Sequence, residues 1–386
     1  MWSNVVVGEQ PLRDTFAIRP LRRPAADGFC RAPLSPTPKA TTVSNVAAIN
    51  FEERELEARV PDLAAGGAWT QVRLRWRLDP LTGSSARILT GVKLQPPGRP
   101  DLAELTAKPA FCPFDSEHLE KATFPFPPEL TTEGRIRVGQ AVVVPNILAY
   151  ATHSAVGIYD PVCHFLDLDE LTPSLIGDAL EAMVRHAQAV RRLDATALWS
   201  SINANYLPPS GSSLVHPHLQ SAHDDCGVTG QRALVEQSRA WQERNGPYWA
   251  ALVDQEASGP RWVGQTGRVA WLTPFAPVGF HEVWGVVSGA ADLTDLTDED
   301  CQALGRGLSQ VLAAYKDWNL ASFNFGLIGG GPQARESGHQ VVLKVVSRSN
   351  PEPFYRSDAT YFERLYGEAM IDLSPEEIAD GVRARF

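Results

Sequence analysis

The sequence predicts an α+β protein built from two related halves behind an N-terminal extension. Three observations carry that prediction. Short segments alternate apolar and polar residues, as half-buried strands do, and two longer segments carry apolar residues at helical spacing. The order strand, strand, helix, strand, strand then occurs twice along the 386 residues. A content of 44% hydrophobic and 21% charged residues is that of a folded chain and excludes a disordered or fibrous one.

Residues 1–68 stand apart. The Pro-rich stretches RPLRRPAADG and RAPLSPTPKATT suggest extended, aperiodic chain, read as an extension packed on the main body. Within it NVAAINFEE is apolar enough to add a strand to a neighbour. From Trp69 the pattern firms. TQVRLRWRL alternates and ends in the turn signal DPLTG, and RILTGVKL is the answering strand. QAVVVPNILA and SAVGIYDP are short buried-strand candidates. SLIGDALEAMVRHAQAVRRL has the helical period, and ALWSSINANY follows it as a strand. The second half repeats the order: TGRVAWLTPFAP and FHEVWGVVS as strands, DEDCQALGRGLSQVLAAYKDW as a helix, SFNFGLIGG and HQVVLKVVSRS as strands. The expected division is therefore 1–68, 69–235 and 236–386.

Charge and cysteine usage narrow the function. Lys plus Arg total 35 against 45 Asp plus Glu, a net charge of −10, so no basic surface is available for nucleic acid, and an anionic ligand must be held locally. Five widely spaced cysteines (Cys30, Cys112, Cys163, Cys226, Cys301) argue against a disulfide framework and for a reducing compartment. The start MWSNVVVGEQPLRD meets charge too early for a secretory signal, and no apolar run approaches a membrane span. A cytoplasmic protein without membrane contact is expected.

The segment NYLPPSGSSLVHPHLQ, residues 205–220, carries the chemistry. His216 and His218 lie two apart on a strand-like stretch, so both point to one face, about 6.5 Å apart. The Ser/Gly turn before them offers backbone N–H groups and hydroxyls to an anionic phosphate. Gln220 continues the same face with an amide. Neutral imidazole is a competent nucleophile at physiological pH. A bare pair of alternating histidines also reads as two structural side chains; the turn before it and the glutamine after it favour the phosphate site.

HPHLQ preceded by GSS resembles the active-site signature of the galactose-1-phosphate uridylyltransferase family, a branch of the histidine-triad superfamily. DPLTG at 79–83, CPFD at 112–115 (where the family usually has CxxC) and the ending IDLSPEEIADGVR fall in the family's order, so the likeness covers about residues 70–386. The resemblance implies a histidine-triad-like fold with antiparallel sheets and helices in each half, and a homodimer. It implies that His218 attacks the α-phosphorus of a nucleoside diphosphate sugar to give a covalent nucleotidyl-histidine. Ser213 matches the supporting hydroxyl and Gln220 the amide that binds the transferring group. Asn205, Gly211 and Ser212 fall at phosphate-side positions. Asn146, in PNIL, matches the segment lining the nucleoside pocket, and Lys93 and Arg99 match basic residues after DPLTG, at a longer spacing.

The same resemblance implies a structural zinc on Cys112, Asp115, His164 and His216, with Asp115 where a second cysteine is usual and His118 as an alternative. A second metal is not expected, because the C-terminal half offers only His339 and the carboxylate of Glu236 stands alone. Glu363 and Glu368 are possible sugar contacts or exposed helix carboxylates. Cys226, the HDD run at 223–225 and GLIGGG are read as a loop thiol, a polar loop and a close backbone approach. The expected substrates are a nucleotide-sugar and a phosphorylated small molecule. The expected activity is nucleotidyl transfer. The alternatives are a phosphorylase that uses inorganic phosphate on an NDP-sugar or dinucleoside polyphosphate, and a nucleotide-binding protein without turnover.

Overall fold

The structure, a computed structural model, describes residues 48–62, 64–89, 98, 100–148, 150–352 and 357–386. Most of the expected extension, with Cys30, and both Lys93 and Arg99 lie outside the described residues.

The first strands are β1 (Glu52–Asp62), β2 (Ala68–Leu78) and β3 (Ser85–Leu89). β1 lies inside the segment read as aperiodic. Leu56, Ala58 and Val60 alternate there among charged residues, and pairing with β2 (Leu56 opposite Leu74, Ala58 opposite Val72) supplies the apolar stripe that β1 alone lacks. DPLTG is the turn between β2 and β3: the Asp79 carboxylate accepts from the Thr82 amide at 2.7 Å, and Asp79 N–H bonds Ser84 O.

The chain continues through α1 (Ser116–Ala122), β4 (Ile136–Val138), β5 (Ala141–Pro145), β6 (His153–Ile158), α2 (Pro173–Leu193), β7 (Trp199–Tyr206) and β8 (His218–Asp224). It crosses on α3 (Thr229–Asn245) and α4 (Tyr248–Glu256) to β9 (Trp262–Thr266), β10 (Val269–Leu272), β11 (Val283–Val287), α5 (Asp298–Asp317), β12 (Ser322–Ile328) and β13 (Val342–Arg348). It ends with β14 (Ala369–Ile371) and α6 (Pro375–Arg383). The stretch expected as one strand at 266–277 is instead the turn and second arm of a hairpin. Gly267, at φ +56°, supplies the left-handed backbone that a two-residue turn needs, so the chain reverses there. The division drawn at 235/236 falls inside α3. Among the described residues no helix is long and apolar enough to cross a membrane.

Ten strands form one sheet in the order β4-β5-β6-β8-β7-β12-β13-β11-β10-β9. Taken from each edge inward, β4-β5-β6-β8-β7 and β9-β10-β11-β13-β12 are the same arrangement, and they meet at the antiparallel pair β7–β12. This is the duplication that the repeated element order implied. Each half places its long helix on the same face, where Leu180 and Met183 of α2 and Leu304, Leu308 and Val311 of α5 join one core with Ile202, Ala204, Phe325, Leu327 and Leu343. Both helices begin at side-chain caps. The Thr172 hydroxyl accepts from Leu175 N–H, and Thr297 and Asp300 form a reciprocal capping box.

The opposite face is covered in two places. Cys112, Phe114 and Leu119 pack on Val142, Val144, Val156 and Ile158 of the first half, and Tyr248, Trp249 and Leu252 pack on Leu272, Trp284, Val286 and Val342 of the second. Between them a polar strip crosses the sheet. Cross-strand register puts Gln220 opposite Asn203, Asn203 opposite Gly326, and Gly326 opposite Lys344. The β1-β2-β3-β14 sheet is tied to α6 by the buried Arg77, whose guanidinium donates to both carboxylate oxygens of Glu376 at 3.0 and 3.1 Å.

The two long helices approach through glycines. A Cβ at Gly305 would fall 2.7 Å from Gly177 N and closer still to Pro173 O. Gly305→Ala gains up to about 1 kcal/mol in helix propensity, but overpacking a tight contact costs about 1–3 kcal/mol. We expect a net loss of stability. Urea denaturation tests this: an unchanged or raised midpoint in Gly305→Ala would show that the helices do not meet at these glycines.

Candidate functional site

β7 ends at Tyr206, and the loop 207–217 returns the chain to β8. Leu207 adopts φ +67°, ψ 161°, a conformation that side chains with a Cβ rarely take, next to two prolines. The surroundings hold it there. Leu207 is 1% exposed, and its carbonyl accepts from Ser210 Oγ at 2.7 Å and Ser210 N at 3.1 Å. Gly211 follows at φ +97°, a value that a residue without Cβ takes freely. The Ser212 hydroxyl donates to Leu214 O at 2.6 Å, while Ser213 is exposed. Ser212 thus acts in shaping the loop, and Ser213 keeps its hydroxyl on the surface.

His218 opens β8 and is buried. Its Nδ1 lies 2.8 Å from the His216 carbonyl oxygen. A carbonyl only accepts, so Nδ1 carries the proton and Nε2 carries the lone pair. Burial also holds the imidazole below its ordinary pKa, so it is neutral at pH 7. Phe114 packs edge-on at 5.2 Å between ring centres and limits the ring's freedom. His218 is therefore a fixed, neutral imidazole with a defined basic nitrogen. Gln220 follows on the same face.

His216 has its side chain fully buried and faces a group of four. Cys112, Asp115, His164 and His216 place one ligand atom each within 4.8 Å of one another. His216 Nε2 donates to Asp160 O at 2.9 Å, which leaves its Nδ1 as a lone pair. That lone pair lies 3.1 Å from Asp115 Oδ1 and 3.7 Å from Cys112 Sγ, while His164 Nδ1 lies 2.9 Å from the same Asp115 oxygen. Burial is the main cause that keeps the His216 pKa below its ordinary value. A carboxylate oxygen and a neutral imidazole lone pair at this distance repel unless a cation lies between them. Asp115 adds a second sign. It stands at the N-cap of α1, where an aspartate normally accepts from the first-turn amides, yet its side chain makes no cap bond. Its buried Oδ2 has no hydrogen-bond partner, and the Lys108 ammonium approaches it only to 3.6 Å. Thiolate, carboxylate and two imidazoles form a donor set that suits a tetrahedral divalent metal. Of the two alternatives, Asp115 joins the group of four, and His118 instead lies against Phe111, 5.0 Å between ring centres.

Asn205 and Gly211 come together: a Cβ at Gly211 would lie 3.9 Å from Asn205 Nδ2. Asn146 follows β5, with its Oδ1 accepting from Leu148 N–H at 2.9 Å and its Nδ2 buried without a hydrogen-bond partner. Glu363 and Glu368 are consumed locally. Glu363 accepts from Thr360 N and Met370 N, and Glu368 pairs with Arg87 and Ser85. His223 points away from the site, into the helix-covered face beside His186 of α2, with 5.1 Å between ring centres. Cys226 is a free, exposed thiol. Sequence reasoning missed Asp160, whose backbone oxygen fixes the His216 ring, and the second-half residues Asn324 and Arg348. A backbone acceptor leaves no residue-type signal, and Asn324 lies over 100 residues from its partner Asn205.

No family model matches the chain. An uncharacterized protein of Archaeoglobus fulgidus is 28% identical over 331 residues, covering 85% of this chain and 97% of that one. Among solved structures, an ADP-glucose phosphorylase from Arabidopsis thaliana with bound ADP-glucose superposes with TM-score 0.61 at 17% identity, over 80% of this chain and 97% of that one. A GalT-like protein from Arabidopsis thaliana gives TM-score 0.61 at 18% identity, over 80% of this chain and 98% of that one. A uridylyltransferase gives 0.57 at 21% identity, over 80% of this chain and 97% of that one. The chain therefore has the fold of these GalT-like proteins, as the sequence resemblance implied.

Several buried histidines make stability depend on pH. Burial holds His223, His281 and His339 at about 4, against about 6.5 in an unfolded chain. Their folded values are depressed, so between these limits the unfolded chain binds more protons than the native one. Their contribution is fully present above about pH 6.5, is lost as pH falls, and levels off near 4. Well inside the window each adds a slope of about 1.4 kcal/mol per pH unit. Urea midpoints at pH 7, 6 and 5 should fall in that order; a flat series would show that these rings are not buried neutral.

Proposed function

We propose that the chain is a nucleotidyltransferase that moves a nucleoside monophosphate from an NDP-sugar, in the first instance a UDP-sugar, to a sugar or alcohol phosphate through His218. One observation carries this reading: the His218 Nδ1–H bond to His216 O, which leaves Nε2 as the lone pair on a buried neutral ring. The Nε2 lone pair attacks the α-phosphorus. The Nε2–P bond forms as the bond from phosphorus to the bridging oxygen breaks, and sugar 1-phosphate leaves with that electron pair. The imidazole becomes positive as it is substituted, and the His216 carbonyl dipole, already aimed at Nδ1–H, stabilises that charge. In the second half-reaction a phosphate oxygen of the acceptor displaces Nε2, and the neutral ring returns. Two displacements through one covalent intermediate give ping-pong kinetics.

The other residues bind and orient. Gln220, on the His218 face, and Ser213, in the loop before it, are the side-chain donors for the transferring phosphoryl oxygens. Asn205 and the Gly211–Ser212 backbone hold the phosphate side, and the Asn146 segment lines the nucleoside pocket. The basic residues Lys93 and Arg99 belong to the same reading, as does a homodimer. Cys112, Asp115, His164 and His216 would hold zinc, whose contribution is structural: it fixes the segment whose next residue but one is the nucleophile.

A phosphorylase shares the first half-reaction and differs only in its acceptor. The fold likeness to an ADP-glucose phosphorylase keeps it as the second reading.

Intact-mass measurement after incubation with UDP-glucose, ADP-glucose, GDP-mannose and TDP-glucose tests the chemistry. The expected result is a gain of one nucleoside monophosphate, absent in His218→Ala. No gain with any donor removes the covalent reading, and thermal stabilisation by nucleotide without a gain favours a binding protein. Challenging the adduct with galactose 1-phosphate or with inorganic phosphate then separates transferase from phosphorylase. For the metal, elemental analysis should find about one zinc per chain in the native protein and a small fraction of that in Asp115→Ala, with a lowered thermal midpoint. Equal zinc in both proteins would mean that these four residues do not bind it.

A further inference from the structure

The second half of the duplicated sheet reaches the loop before the proposed nucleophile through a chain of side chains. Asp358 holds Arg348 at both ends of its carboxylate: Nε lies 2.8 Å from Oδ2 and Nη2 lies 2.5 Å from Oδ1. The Ser349 amide also donates to Asp358, at 2.9 Å. Arg348 then donates through Nη1 to Asn324 Oδ1 at 2.7 Å. Asn324 Nδ2 points back across the β7–β12 junction to Asn205 Oδ1 at 2.6 Å, with Ser210 O at 3.0 Å and Ala204 O at 3.2 Å.

Direction is what matters in this chain. A side-chain amide can usually be turned over, exchanging its oxygen and nitrogen. Guanidinium has donors only and the Ser210 and Ala204 carbonyls only accept, so together they fix which end of Asn324 is the oxygen. The nitrogen of Asn324 then meets Asn205 and fixes its oxygen in turn. Asn205 Nδ2 is left on the Gly211 side, the side of the expected phosphate. We propose that Asn324 and Arg348 are positioning residues of the transfer reaction, which lock the Asn205 amide with its N–H donors toward the donor substrate's phosphate. The inference rests on the transferase reading above and adds to it a requirement for the second half of the sheet, which supplies no nucleophile.

Asn324→Asp is the direct test, because it keeps the shape and replaces the donor by an acceptor. Asn205 must then turn to donate to the introduced carboxylate and present its oxygen to the phosphate. The rate of adduct formation on His218 is followed by quenched intact-mass measurement in four proteins: native, Asn205→Ala, Asn324→Asp and the double variant. We expect Asn324→Asp to slow adduct formation at least tenfold in the native background and less than twofold once Asn205 is replaced by alanine. No slowing, or the same factor in both backgrounds, overturns the proposal. If Asn324→Asp does not fold, Asn324→Leu serves in the same cycle, since it keeps the bulk and removes the donor that fixes Asn205. Failure of the transferase reading looks different: the native protein then forms no adduct from any donor, and the positioning role falls with it.

Discussion

His216 is the residue on which the site depends, because its two ends serve different structures. Its ring is shared between the Asp160 carbonyl and the buried group of Cys112, Asp115 and His164. Its own carbonyl accepts a hydrogen bond from His218 Nδ1–H. The bond to Asp160 removes the tautomeric freedom of His216, and the bond from His218 removes that of the proposed nucleophile. One short segment therefore converts a rigid buried cluster into a defined lone pair on Nε2. Without that bond, the basic nitrogen of His218 would be shared between two positions.

The duplication explains where the site lies. The ten-stranded sheet has its two long helices, α2 and α5, on one face, and that face is a continuous apolar core. The other face is closed at both flanks, by the 112–119 segment on one side and by α3 and α4 on the other. Among the described residues, the junction of the halves between these flanks is polar. β8, β7 and β12 carry His218, Gln220, Asn203, Asn205 and Asn324 there, on the side away from the helices. The halves have diverged in what they contribute. The first presents His218 and the loop. In the second, Trp249, Trp284 and Tyr248 pack on the same face, and what reaches the junction is a chain of donors from Arg348.

Strain and support are paired at the loop. Leu207 sits in a backbone region that disfavours it, directly after β7 and before two prolines, and tertiary contacts hold it there. The prolines restrict the loop, Gly211 supplies its reverse bend, and the Ser210 and Ser212 hydroxyls satisfy local carbonyls. The loop is thus shaped before any ligand arrives, which reduces the ordering a phosphate would have to impose.

Much of this was legible in the sequence because it is local. Apolar spacing marked the two long helices and most strands, since burial on one side leaves a period in the chain. HPHLQ with its Ser/Gly turn pointed to the candidate nucleophile, the candidate phosphate loop and the histidine pair. The element order, used twice, revealed the duplication. β1 escaped because its apolar stripe is completed only by β2, and the 266–277 reversal escaped because a single glycine marks it. What the tertiary structure alone decided is orientation. Which nitrogen of His218 is basic depends on a backbone oxygen two residues away, and the His216 tautomer on the Asp160 carbonyl. The choice of Asp115 over His118 turns on which side chain the fold leaves without a partner in a buried place. The direction of the Asn205 amide depends on Asn324, more than 100 residues distant in the chain. A sequence records which groups are present; hydrogen-bond direction is a property of pairs, and these pairs exist only once the chain has folded, the Asn205–Asn324 pair only once the two halves of the sheet have met.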